Sequence, residues 1–153
     1  MTVRNMTEED LVRVQKIDSN SFPNRKGPAP QYQRYISEPN RIAFVIHDKK
    51  KGTIGYVALT ERPAGKQEIH DGIRIDYIAV DKDERRHGHG SRLIGKIKKY
   101  AKEKDEISCV YLHVRAQQRI VRKCYEKNGF EKTDKLLPDF INGDKKIEMT
   151  WSK

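Results

Sequence analysis

Hydrophobic positions along the chain switch between two periods, and the switches mark the elements. Thr7 precedes Glu8, Glu9 and Asp10, after which Leu11, Val14 and Ile17 recur at helical spacing. A short opening strand therefore gives way to a first helix with a capping residue and an acidic first turn. Residues 21–30 hold Pro23, Gly27, Pro28 and Pro30, which break regular structure and predict a loop before a short helix over 31–37. Residues 41–48 and 53–60 are rich in Ile, Val, Phe and Tyr, and the turn formers between them predict an antiparallel hairpin. After a polar connection over 63–72, Ile73, Ile75, Tyr77 and Ala79 alternate with Arg74, Asp76, Ile78 and Val80. That is the pattern of a central strand with two opposed sets of side chains. From Ser91 onward, Leu93, Ile94, Ile97, Tyr100 and Ala101 form the apolar stripe of an amphipathic helix whose lysine face is solvated. Residues 108–114 read as a buried strand, 120–127 as a helix stopped at Asn128-Gly129, and 145–151 as a last strand.

The order is mixed α/β (α+β) with no repeat, linker or low-complexity segment, and 153 residues suit one compact domain spanning 1–153. No apolar run approaches the roughly eighteen residues of a membrane span, and residues 1–10 carry acids where a secretory signal needs an apolar stretch. A cytoplasmic protein with no membrane partner is expected. Cys109 and Cys124 lack metal or redox spacing and read as packing residues. Lys and Arg number 32 against 22 Asp and Glu, a formal charge of +10. Such a balance favours polyanions: nucleic acid, a ribosome, acidic peptides or a phosphate-rich cofactor.

Chemistry concentrates between the strand ending at Val80 and the helix near Ser91, where Arg85-Arg86-His87-Gly88-His89-Gly90 forms an R-x-x-G-x-G loop. Glycines there let backbone N–H groups approach a phosphate at a helix N-terminus, where the dipole favours negative charge. The loop has neither the third glycine and distant acid of a dinucleotide site nor the Gly-Lys-Ser/Thr of a P-loop. His87 and His89 lack the ring count and carboxylates of a metal site and read as loop side chains, so no metal is expected.

With Arg85 five residues after the strand-ending Val80, the loop resembles the acetyl-CoA-binding signature of the GNAT N-acetyltransferases. A second block agrees: Leu112-His113-Val114-Arg115-Ala116, then Cys124-Tyr125-Glu126-Lys127-Asn128-Gly129-Phe130, is similar to the family's second half. The resemblance covers essentially the whole chain. It implies a mixed six- to seven-stranded central sheet, splayed at its middle and flanked by about four helices. Within the superfamily, Phe22-Pro23 and the placing of His113 twelve residues before Tyr125 look like the ribosomal-protein-alanine type of N-terminal acetyltransferase. Two positions depart from that type: Gln118 stands for its usual Asn, and Asp139-Phe140 for its Tyr-Tyr pair.

What the resemblance implies about the site follows residue by residue. Ile78, Ala79 and Val80 would offer backbone to the pantetheine and acetyl carbonyl of acetyl-CoA. Arg85, Arg86, His87, Gly88, His89, Gly90 and Ser91 would surround its pyrophosphate. Tyr125 would protonate the departing thiolate, as a phenol still protonated at neutral pH is able to do. His113 is the candidate base, because a histidine accepts protons near neutral pH, and Asp76 is the alternative. Phe22, Pro23, Tyr77, Asp139 and Phe140 would meet the acceptor. That acceptor is read as a protein or peptide N-terminal amine. The rival is a lysine side chain or polyamine drawn to Asp134, Asp139 and Asp144, and a basic nucleic-acid-binding protein ranks last.

Overall fold

The structure, a computed structural model, describes residues 1–138 and 145–153. Strands β1 (Thr2–Asn5), β2 (Arg41–Asp48), β3 (Gly52–Glu61), β4 (Gly72–Val80), β5 (Cys109–Arg115), β6 (Glu131–Pro138) and β7 (Lys145–Ser152) form one seven-stranded sheet ordered β1-β2-β3-β4-β5-β7-β6. Helices α1 (Leu11–Ser21) and α2 (Arg34–Ser37) precede β2, α3 (His89–Lys102) joins β4 to β5, and α4 (Arg119–Lys127) joins β5 to β6. A single 3-10 turn at Glu8–Asp10 opens α1, with the Thr7 N–H donating to Asp10 Oδ2 at 2.8 Å. The carboxylate takes up an amide that the first turn leaves without a helical partner.

Two apolar clusters, one on each side of the sheet, hold the layers together. Leu93, Ile94, Ile97 and Ala101 of α3 are essentially inaccessible and pack with Phe44, Ile46, Val57, Ile73 and Leu112. Burying each large aliphatic chain there contributes about 1.5–3 kcal/mol. Val14 and Ile17 of α1 pack on the opposite side with Tyr32, Val45, Tyr56 and Ala58. The lysine face of α3 is partly covered, with Lys98 and Lys102 over the Trp151 ring and Lys96 over Phe44. Of the two cysteines, Cys109 is buried as expected, but Cys124 is exposed on α4 and does not pack.

Every neighbouring pair of strands is antiparallel except β4 and β5, which run parallel and pair only through Gly72↔Cys109, Ile73↔Val110 and Arg74↔Tyr111. A Cβ on Gly72 would meet the Tyr111 ring at 3.0 Å and Cys109 Sγ at 3.1 Å, so a side chain at the closest point of this junction would force those neighbours to shift. Past it the strands part, which is the splay expected of the fold.

The strict alternation read along 73–80 does not hold. Ala58 pairs with Tyr77 and Leu59 with Ile75, leaving Asp76 as an extra residue. This bulge breaks the period of two. Ile73 and Ile75 join the α3-side cluster and so do Ile78 and Val80, while Tyr77 and Ala79 pack on the α1 side. Asp76 also faces that side, because it accepts a hydrogen bond from Tyr35 of α2. β6 was not anticipated. It is a mostly exposed edge strand, EKTDKLLP, in which Leu137 alone is buried.

Candidate active site

The loop after β4 is tied down at several points. Asp81 accepts from Arg13 at 2.7 Å and from the Asp83 N–H at 3.1 Å. Arg85 folds back, with Nε donating to the Val80 carbonyl at 3.1 Å and Nη2 to Ser21 Oγ at 3.2 Å. Arg86 and Gly88 then take left-handed backbone, φ 69° and 79°. Gly88 is the N-cap, so α3 starts at His89, two residues before the expected Ser91. His89 is consequently a helical residue, 6% exposed, with Nδ1 buried and unpartnered, and is not a free loop side chain. Burial lowers its pKa. Apart from the adjoining residues and the helix's own backbone, no heavy atom lies within 4 Å of where a Cβ on Gly88 or Gly90 would stand, so this helix N-terminus is open to an anion. Ser91 accepts from Asn128 Nδ2 at 3.2 Å, linking the start of α3 to the end of α4.

Beside this loop, Ile78, Ala79 and Val80 pair with Val57, Tyr56 and Gly55 on one edge, while β5 has diverged from the other. That second edge offers backbone donors and acceptors to an extended ligand. Together with the glycine loop it fits a long chain carrying a pyrophosphate.

His113 and Tyr125 flank the parting strands from opposite sides. Val110, Leu112 and Val114 belong to the α3-side cluster together with Tyr125. Alternation therefore turns His113 the other way. Tyr125 is 4% exposed and stands edge-on to Phe130, ring centroids 5.4 Å apart. Burial drives its hydroxyl pKa well above the usual tyrosine value, and no described residue accepts a hydrogen bond from it. His113 Nε2 lies 3.1 Å from Glu148 Oε2, its direct cross-strand neighbour on β7. Glu148 is 4% exposed and also accepts from Thr133 at 3.2 Å and pairs with Lys135 at 3.4 Å.

A cleft of about 440 Å³ opens on the His113 side, bounded by Gln31, Tyr35, Asp76, Tyr77 and His113 among others. Asp76 holds three close donors there. Its Oδ1 accepts from Arg74 Nε at 2.6 Å, and its Oδ2 from Tyr35 at 2.7 Å and Thr60 at 2.5 Å. Phe22 and Pro23 lie just after α1, next to the cleft's wall. Arg25 sits over both the Phe22 and Tyr77 rings, at 5.1 and 5.9 Å, and makes two hydrogen bonds to buried Asp18 at 2.6 and 2.7 Å. Asp139, Phe140 and Asp144 lie outside the described residues, and Asp134 is exposed on β6. Sequence reading missed Glu148, Tyr35 and Lys146. Glu148 acquires its place only through the pairing of β5 with β7, and the other two sit on elements remote from the motifs.

A glycine loop at a helix N-terminus beside an open strand edge, with a cleft next to it, is an architecture suited to acyl transfer from a phosphate-bearing carrier. The chain belongs to the Acetyltransferase (GNAT) family, whose profile matches residues 11–130. It is an N-acetyltransferase that uses acetyl-CoA. Among solved structures it is similar to Arabidopsis thaliana NAA60 in complex with a bisubstrate analogue, at 23% identity and TM-score 0.83 over 99% of this chain and 97% of that one. The ribosomal-protein-alanine N-acetyltransferase of Brucella melitensis is 15% identical, TM-score 0.80, with both chains covered in full at 100%. The spermidine N-acetyltransferase of Vibrio cholerae in complex with CoA and spermine is 23% identical, TM-score 0.77, covering 99% and 94%. No curated protein sequence matches the chain. Among the described residues, no helix is long and apolar enough to cross a membrane.

Proposed function

We propose that the acceptor is the α-amine at the N-terminus of a protein or peptide, and that His113 and Tyr125 manage the protons of its acetylation. The observation that carries this reading is the cleft itself: His113 opens into it beside Tyr77 and the clamped Phe22-Pro23 loop, on the side of the sheet away from Tyr125. The fold shared with a ribosomal-protein-alanine N-acetyltransferase supports the same acceptor. A polyamine is the rival, since the fold is shared equally with a spermidine N-acetyltransferase. The cleft favours the first reading, because its carboxylate, Asp76, already holds three close hydrogen-bond donors.

The reaction forms an N–C bond between the amine and the acetyl carbonyl, breaks the C–S bond, and moves one proton from nitrogen to sulfur overall. His113, steadied by Glu148, accepts the proton of the attacking amine. Tyr125, whose hydroxyl is unengaged, donates one to the leaving thiolate. N–H groups of residues 86–91 and the start of α3 hold the pyrophosphate, and the edge of β4 that β5 leaves free holds the extended arm, at Ile78 and the Val80 N–H, since the Val80 carbonyl is taken by Arg85. Arg85 keeps the loop against that edge through the Val80 carbonyl.

The test is thiol release from acetyl-CoA with free-N-terminal peptides, N-blocked lysine peptides and spermidine. Turnover confined to the free N-termini is expected. Turnover confined to spermidine or blocked lysine peptides would discard this acceptor.

A further inference from the structure

Resting on the N-terminal-amine reading, we infer that the preferred acceptor is an acidic N-terminus, a peptide with Asp or Glu immediately after its reactive residue. Four basic side chains line the cleft, Arg34, Arg41, Arg74 and Lys146, against one carboxylate, Asp76. Three of the carboxylate's roughly four acceptor positions are filled, one on Oδ1 by Arg74 and two on Oδ2 by Tyr35 and Thr60, and Arg41 stands 3.7 Å from Oδ2. The cations retain theirs. Arg34 uses Nε and Nη2 on Glu38, leaving Nη1 unengaged among the described residues. Arg41 spends Nε on Glu38 and Nη1 on Tyr35 and Thr60, leaving Nη2. Arg74 spends Nε and Nη1 on Asp76 and Glu68, again leaving Nη2.

Lys146 carries the inference furthest. It lies on β7 opposite Arg115 of β5, two residues before Glu148, and so enters the cleft from the strand that steadies His113. Among the described residues its ammonium has neither an ion pair nor a hydrogen bond. The wall thus offers several unused donors, and its one carboxylate is already largely neutralised by Arg74 and Arg41. A carboxylate on the acceptor's second or third residue would be complemented, whereas a polyamine or a lysine-rich N-terminus would bring like charge against like. The net charge of +10 acts in the same direction at longer range.

The experiment uses the whole chain and three matched peptides with the same free first residue, followed by acidic, neutral or basic residues, with spermidine alongside. Initial rates at low and moderate salt give kcat/KM for each. The acidic peptide is expected to exceed the neutral one by about tenfold, and the ratio to shrink as salt screens it. Lys146→Glu and Lys146→Ala, each checked for an unchanged melting temperature, should lower that ratio while leaving the KM for acetyl-CoA as it was. Equal kcat/KM for acidic and neutral peptides would overturn the acidic preference and leave the N-terminal acceptor standing. Turnover of spermidine with none of the three peptides would overturn both.

Discussion

Replacing Tyr125 by Phe separates its chemistry from its packing. The ring is buried against Phe130 and the α3-side cluster, and phenylalanine keeps that contact. The hydroxyl donates to no described residue, so its removal breaks no hydrogen bond. The hydroxyl is not among the buried unpartnered atoms and so keeps some access to solvent; deleting it should change stability by about 1 kcal/mol or less. The catalytic effect should be large. A positioned general acid contributes on the order of 10²- to 10⁴-fold, or about 3–5 kcal/mol of barrier. Because burial raises the Tyr125 pKa, its phenol stays protonated throughout the ordinary assay range, and the wild-type enzyme should show no loss of kcat from Tyr125 ionisation at neutral to mildly alkaline pH. The assay is thiol release with acetyl-CoA and acceptor both saturating, paired with thermal unfolding of the two proteins. A kcat within twofold of wild type, or a clear fall in melting temperature, would refute the reasoning and leave Tyr125 a core residue only.

Gly88→Ala forces a Cβ into left-handed backbone at φ 79° with nothing within 4 Å to clash with, so its cost is conformational, about 1–2 kcal/mol. Its melting temperature should fall by a few degrees and its KM for acetyl-CoA should rise, as thermal scans and initial rates will report. Burial pushes the Asp10 pKa up, but hydrogen bonds from Arg4, Thr53 and the Thr7 amide outweigh it and hold it at about 2 against an ordinary 3.8. A depressed carboxylate stabilises the fold above the unfolded value and stops doing so as pH falls through the folded one. The stability advantage of wild type over Asp10→Asn, about 2 kcal/mol near neutrality, should therefore fade between about pH 4 and 2 in urea titrations; an advantage constant with pH would contradict this. Arg25→Ala removes the two hydrogen bonds that pin the Phe22-Pro23 loop to Asp18. It should raise the acceptor KM several-fold without altering that of acetyl-CoA, and unchanged acceptor KM would detach the loop from acceptor binding.

Local features were legible in the sequence and relational ones were not. The α3 stripe, the β2–β3 hairpin and the glycine loop each announce themselves within a few residues, and the structure has all three. The Asp76 bulge does not, because an extra residue in β4 is defined only by its register with β3. β6 hid for another reason: EKTDKLLP buries almost nothing, so neither period appears. At the site, the spacing of His113 and Tyr125 drew attention to both residues, yet their facing opposite sides of the sheet depends on β5 alternation and on where α4 packs. Glu148 reaches His113 from 35 residues away, and the arginines of the cleft come from α2, β2 and β4, a convergence that only tertiary folding creates.

Beyond the brief contact between β4 and β5 the sheet continues as two plates, joined by that seam and, on one face, by the core under α3. On the proposed reading the plate β1–β4 ends in the edge and loop that would take the acetyl donor, and the plate β5–β7, with α4 following β5, carries His113, Glu148 and Tyr125. Neither plate would then hold a complete reaction centre. A donor lying in the gap would touch both and act as a rivet across the seam, so the free energy of binding it would also be free energy of alignment.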